Sequence, residues 1–503
     1  MNNSLKFSDK VLEIGGRIQA APSELLIETV FAKELQQQQH LFHEMSLVDI
    51  CYTLVGIEQG FIPEPFGMEL LTHLLALHQR PDSFILDAAR GDLYTNREAW
   101  LAERTTSVGW LGVGRARREA TTTAFLLHLR RLSSSLMLSL VEVGQALCQQ
   151  ASQHRRSFMP DYTYLQVAQP TTLAHYLLGF AYPVTRDLQR LMAVFQRLNR
   201  SPLGCGSSNG ARLFLGRERM AELLGFDGLV VHARDAMWQA DLPIELSAVL
   251  STSMINLSRL AEDLLIFCSA EFALVELADC HARASKIMPQ KKNPFALNAI
   301  RGLANETIGT LTTVTSLART PSGQPDNRLA IYGILPDSIN HVRNATLLMA
   351  EIIHKLRYNH DRGNAIIDNS WAMSTDFAEV LVQQCGLNFR EAHQLVGYLA
   401  GRYGSQCSLK VAITPEVLTI TSQTLFGKTI QLDANALSQA LDVDFALQQR
   451  QEAGGASVSA INVMLAELNN QFSDAQQQAL LLIQGIADSE AQLLQFAKQR
   501  IGA

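Results

Sequence analysis

Three stretches of this chain repeat apolar residues at helical steps over lengths that only long, packed helices require. Phe125, Leu129, Leu132, Leu136, Leu140, Val143 and Leu147 recur at steps of three and four. Leu246, Leu250, Leu257, Leu260, Leu264 and Phe267 repeat the pattern, as do Ile300, Ala304, Thr307, Leu311 and Val314. Extended alternation of period two is scarce. Three apolar seams must be buried against one another or against other subunits, and a helical bundle does this most economically. The predicted class is therefore all-α.

Composition narrows the function classes. A chain of 503 residues, 47% of them hydrophobic, can bury an ample core in several domains. Its formal charge of −6 is small and no basic stretch stands out, so nucleic acid is not an implied partner. Cys51, Cys148, Cys205, Cys268, Cys280, Cys385 and Cys407 are widely spaced and show no CxxC, which reads as reduced thiols without metal. The first residues, MNNSLKFSDK, lack the apolar core of a secretory signal, so a cytoplasmic protein is expected. Residues 162–185 carry no charge, but their glutamines, threonines, prolines and His175 exclude a membrane span.

Turn-rich breaks fall near 107–114, 201–210, 320–327 and 361–370. They divide the chain into an N-terminal helical domain, 1–113, a central long-helix domain, 114–363, and a C-terminal helical domain, 364–503. Gln36–Gln39 and Gln476–Gln478 read as solvated faces of helices. Arg259, Glu262 and Asp263 stand at the spacing of local ion pairs on a helix.

Chemistry concentrates in Ser285 to Pro294, SKIMPQKKNP, which places a hydroxyl, a cation and an amide on one proline-pinned loop. Such a set suits removal of a proton next to a carboxylate. That step piles a second negative charge on the carboxylate, which a fixed ammonium and amide can meet as it develops. Lys291 and Asn293 have that chemistry, and Ser285 is the candidate base. The bland alternative is a basic surface turn.

The stretch resembles the signature loop of the aspartase/fumarase superfamily, and MPQKKNP is similar to that of its argininosuccinate lyase branch. Gly15-Gly16-Arg17, the GRARRE run at 114–119, TYLQVAQP at 163–170, SPLGCG at 201–206, LSRLAEDL at 257–264, NFREAH at 388–393 and GGA at 454–456 follow in the family's order. The resemblance implies a three-domain helical fold whose central bundle forms a homotetramer, with active sites shared between subunits. It implies no cofactor and no metal, and a small-molecule carboxylate substrate. It assigns Ser285 as the base and Lys291 and Asn293 as carboxylate stabilisers, with Arg117, Thr163 and Gln169 contacting substrate. His393 is read as a buried polar anchor rather than a catalyst.

Departures from the family pattern matter as much. Tyr164 stands where the family has a histidine and Asn298 where it has the glutamate that pairs with it. Both losses together leave no orphan charge, as exchange of the pair as a unit requires. Tyr164 either protonates the leaving group or packs as a wall. Lys286 replaces a second serine and either favours a Ser285 alkoxide or points to solvent. Arg118 adds a cation, implying an anionic substrate group or a nearby carboxylate such as Glu119. Gln324 replaces a tyrosine in the region that grips the guanidino end of argininosuccinate in the family. The expected activity is elimination at a C–N bond of an N-substituted aspartate or related dicarboxylate, in either direction. Argininosuccinate lyase itself and a catalytically silent homologue are the alternatives.

Overall fold

A computed structural model describes residues 17–323 and 329–502. The three apolar seams lie on helices Arg117–Gln153, Asp241–Phe267 and Phe295–Ala318. Leu173–Leu198 and Ile331–His354 complete a five-helix bundle. Leu129, Leu136, Leu140, Val143, Leu250, Leu260, Leu264 and Ile300 are all buried at its centre. The 117–153 helix has the length and hydropathy of a membrane span, but 72% of that window is buried inside the protein, as in the core helix of a bundle.

Helices Phe42–Glu58 and Glu64–Gln79 pack on one end of the bundle and share its core. A separate core gathers residues between Ile367 and Ala456. The long last helix, Val458–Ile501, leaves that second core and lies along the 117–153 helix, contributing Ile461, Leu468, Phe472 and Leu493 to the main one. His175 ties the start of the 173–198 helix to this C-terminal region. Its Nε2 lies 2.9 Å from the Gly454 carbonyl, which can only accept, so Nδ1 is left to accept from the Thr171 hydroxyl at 3.1 Å.

Strands are limited to three short antiparallel pairs, among the described residues. The pairs that matter for function are Phe158–Thr163 with Gln166–Thr172 and Arg283–Ala284 with Lys292–Asn293.

Four sequence expectations are corrected. The break at 361–370 is a helix, His360–Asp368, whose Asn359 cap accepts from the Arg362 amide at 3.1 Å. Gln38 is not a solvated residue: it is buried, and its side-chain oxygen accepts from Leu93 N. Glu262 and Asp263 reach other helices rather than a local partner, Glu262 pairing with Arg301 at 2.9 Å and Asp263 accepting from the Tyr176 hydroxyl at 2.9 Å. His393 is exposed, its ring beside that of Phe389.

Candidate active site

Ser285 sits at the neck of a hairpin closed by the bridges Arg283 to Asn293 and Ala284 to Lys292. Its Oγ accepts from the backbone amides of Met288, at 3.1 Å, and Ile287, at 3.4 Å. The turn is tightened by Lys291 N donating to Met288 O at 3.1 Å, and the returning arm presents Asn293, whose Nδ2 donates to Arg283 O at 2.9 Å. Pro294 then starts the 295–318 helix, so the positive end of that helix dipole faces the hairpin. A local β-bridge thus brings Ser285 and Asn293 together at one neck.

The two lysines of the motif separate cleanly. Lys292 is held by Glu276 and Asp279, each at 2.7 Å, and these carboxylates raise its affinity for its proton. Lys291 is exposed and makes no ion pair among the described residues. Of the two, Lys291 is the one whose charge no described carboxylate engages. Lys286 is also exposed within its own chain.

Tyr164 and Leu165 form the two-residue tip of the 158–172 hairpin, with φ of 54° and 57°. Two successive left-handed residues make a type I′ turn, which normally takes Asn or Gly. Holding a bulky side chain there costs of order 1 kcal/mol or more per residue. The arms below are firmly seated: the Tyr162 ring lies 5.1 Å from that of Phe272, and the Tyr358 hydroxyl donates to Phe158 O at 2.7 Å. Tyr164 itself is 99% exposed, so it is no packing residue within its own chain. Thr163 is exposed beside it, and Gln169 is half-buried further along the returning strand.

Arg117 is the first residue of the 117–153 helix, and its Nε lies 3.3 Å from Asp92 Oδ2. A carboxylate near Arg118 is Glu34, at 3.8 Å. Burial and then the neighbouring Asp92 raise the Glu34 pKa above the ordinary carboxylate range. Glu119 turns inward and accepts from the amides of Gly204 and Ala116. Gly204 makes that contact possible: its φ is +80°, and a Cβ there would lie 2.5 Å from Arg217 Cγ. Asp92 and Glu34 were not found by sequence reasoning, because nothing local links either to the arginines. Gln324 lies outside the described residues, as do Gly15 and Gly16. Asn298 is exposed in the first turn of the 295–318 helix.

Three groups of residues result: the 285–293 hairpin, the 163–169 tip and the Arg117–Asp92 pair. Among the described residues, Ser285, Lys291 and Asn293 make no hydrogen bond or ion pair with Arg117, Thr163, Tyr164 or Gln169. Each group presents an exposed residue at the surface of one chain: Lys291, Tyr164 and Arg117.

An all-helical bundle of this kind frames a class of lyases, and the relatives that follow place the chain among those acting at a carbon–nitrogen bond. The family description Lyase matches residues 69–309, and Argininosuccinate lyase C-terminal matches residues 371–444. The argininosuccinate lyase of Methanococcoides burtonii is 31% identical over 457 residues, covering 90% of this chain and 91% of that one. That of Methanosarcina mazei is 30% identical over 481 residues, covering 94% and 96%. A crystal structure of EDDS lyase in complex with formate shares the fold, with a TM-score of 0.86 at 23% identity over 96% of both chains. The chain belongs to the argininosuccinate lyase branch of the aspartase/fumarase superfamily.

Proposed function

We propose that this lyase removes an amine from an N-substituted aspartate, or a related dicarboxylate, by β-elimination, releasing fumarate or a related unsaturated acid, or runs the addition in reverse. The observation that carries the reading is Ser285 Oγ resting on two backbone amides at the neck of a hairpin that also presents Lys291 and Asn293.

Those amides stabilise the hydroxyl as an oxyanion, which a serine needs to act as a base. Ser285 takes the proton from the carbon next to one carboxylate, and the electron pair moves into that carboxylate as an enediolate. Lys291 and Asn293 meet the added charge. When the carboxylate re-forms, the pair becomes the C=C bond and the C–N bond breaks. The departing nitrogen takes a proton, for which Tyr164 at the exposed hairpin tip is the donor in this reading. Arg117 binds the second carboxylate with the ends of its guanidinium, and Arg118, Thr163, Gln169 and Gln324 line the remainder. The substrate's own carboxylate is the electron sink, so the chemistry requires no cofactor.

The surface positions of the three groups support a homotetramer in which loops of different subunits complete each site. Tyr164 and Ile287, 99% and 84% exposed, are the residues such an assembly would cover. In this reading the chain keeps three domains, with the second boundary at the 360–368 helix rather than at a break inside it and the last helix returning to the bundle. The seven free cysteines suit a reducing, cytoplasmic setting. Uncharged Tyr164 and Asn298 favour an amine other than arginine as leaving group, whereas the relatives at 30–31% identity favour argininosuccinate itself.

A mass-spectrometric screen decides. Purified protein is given argininosuccinate, and separately fumarate with a panel of amines and amino acids, alongside Ser285→Ala. Cleavage of argininosuccinate that the variant loses makes argininosuccinate the substrate. A new fumarate adduct with argininosuccinate untouched names another leaving group. Ser285→Ala retaining more than roughly a tenth of turnover removes Ser285 as the base.

A further inference from the structure

Far from the hairpin, three helices converge on His43, His78 and Glu490. His43 is in the first turn of the 42–58 helix, His78 in the last turn of the 64–79 helix, and Glu490 in the 458–501 helix. One ligand atom from each lies within 4.8 Å of the others, and all three residues are half-buried. His43 Nε2 is shut off from solvent and sits 3.0 Å from Glu490 Oε1 without the alignment of a hydrogen bond. The His43 and His78 rings are 5.1 Å apart.

We propose that His43, His78 and Glu490 form a binding site for a divalent transition metal of the zinc class, with a fourth position open to water. Two imidazole nitrogens and one carboxylate oxygen are the donor set such ions prefer. Bonds of about 2.0–2.1 Å in a tetrahedral site place neighbouring ligand atoms about 3.4 Å apart. The 3.0 Å separation of His43 and Glu490 is already near that value, and the His78 nitrogen lies within 4.8 Å of both.

The outer contacts suit a ligand. Arg131 takes the other oxygen, Oε2, of Glu490 at 3.0 Å, which orients the carboxylate and leaves Oε1 facing His43. A rival cluster, Cys280, His281 and Glu351, lacks this arrangement. There the Lys355 ammonium lies 2.5 Å from Oε1 of Glu351, the same oxygen that faces His281. A bound cation at the first site would pin the last helix to the two N-terminal helices.

The test uses the full-length protein, stripped with a chelator, dialysed against ZnCl2 and assayed for metal by mass spectrometry. CoCl2 in parallel reports coordination geometry by visible absorption. We expect about one ion per chain with a tetrahedral or five-coordinate cobalt spectrum, and an unfolding midpoint that rises with zinc. Cys280→Ser, in the rival cluster, and His341→Gln, at an exposed position of the 331–354 helix, should retain all three. His43→Gln, His78→Gln and Glu490→Gln should each weaken binding by roughly tenfold or more and abolish the zinc-dependent rise. Three separate variants keep the result readable if one fails to fold. Zinc binding unchanged in the folded variants, or no binding by the wild type, would overturn the proposal.

Discussion

Asp92 serves two elements with its two oxygens: Oδ2 lies 3.3 Å from Arg117 Nε, while Oδ1 accepts from Thr95 N at 2.9 Å and caps the helix Leu93–Ala102. The pairing engages the guanidinium at its Nε, while the Arg117 side chain remains about half exposed, and a bidentate carboxylate contact would use its terminal nitrogens. Asp92→Asn keeps the cap acceptor and removes the charge. We expect it to raise KM for the dicarboxylate several-fold with a smaller change in kcat, whereas Arg117→Ala raises KM by tenfold or more. Steady-state kinetics of both variants separate positioning from contact, and an unchanged KM in Asp92→Asn would show that Arg117 is oriented by something else.

The adjacent lysines of the signature hairpin should behave oppositely. Lys291→Met is expected to reduce turnover by two orders of magnitude or more, the scale of losing one preorganised stabiliser of developing charge. Lys292→Met breaks ion pairs that are themselves largely exposed and solvent-screened, so stability should change little. Its effect on turnover should be much smaller than that of Lys291→Met. Equal losses in the two variants would mean that hairpin shape, not the Lys291 charge, limits the reaction.

Asp49 is gripped by two arginines. Arg97 reaches its Oδ2 at 2.9 Å and Arg115 its Oδ1 at 2.9 Å, all three side chains being almost wholly buried. Arg115 is also stacked over Tyr52, 4.7 Å from its ring centre, and the Tyr52 hydroxyl donates to Val113 O at 2.6 Å. The triad therefore fixes the turn that feeds the 117–153 helix. Removing the shared anion leaves two buried cations without their partner, a loss of about 3–5 kcal/mol. Chemical denaturation of Asp49→Ala should show that drop; a change below about 1 kcal/mol would mean that water or relaxation satisfies both arginines.

The bundle was legible because its signal is local. Residues such as Leu129, Leu136 and Leu140 repeat at the helical period, and that period alone tells which face is buried. That Ser285, Lys291 and Asn293 share one loop was legible for the same reason, since they lie within nine residues, whereas its closure as a β-hairpin came from the structure. Asp49, Asp92 and Glu34 were not, since each pairs with an arginine far along the chain and a lone acid carries no mark of its partner. The 360–368 helix was hidden by a glycine and by polar first-turn residues, and only the Asn359 cap betrays it. His393 failed as a buried anchor because its neighbours Ala392 and Leu395 occupy the inward face of the 389–403 helix. Tyr164 shows a different limit: the turn conformation of a Tyr-Leu pair comes from strand pairing on both sides, not from the turn residues themselves.

Glu119 should leave a signature in stability against pH. Burial raises its pKa to about 7, while the amides of Gly204, Ala116 and Gly206 and the nearby Arg115 oppose the shift. Its ordinary value is 4.5, so between about 4.5 and about 7 the folded chain holds a proton that the unfolded chain has released. Over that window this group's contribution falls as pH rises, because the native state binds more protons. Below it both states are protonated and nothing changes; above it both are ionised and the penalty of burying the charge is complete. The expected decline is on the order of 1–3 kcal/mol. Glu119→Gln stays neutral and keeps an oxygen for the Gly204 amide, so the difference between wild type and variant cancels the other titrating groups. Urea denaturation of both proteins from pH 5 to pH 8 should show wild type losing ground to the variant as pH rises. The reverse trend would mean that the amides and Arg115 outweigh desolvation and hold Glu119 ionised in the folded chain.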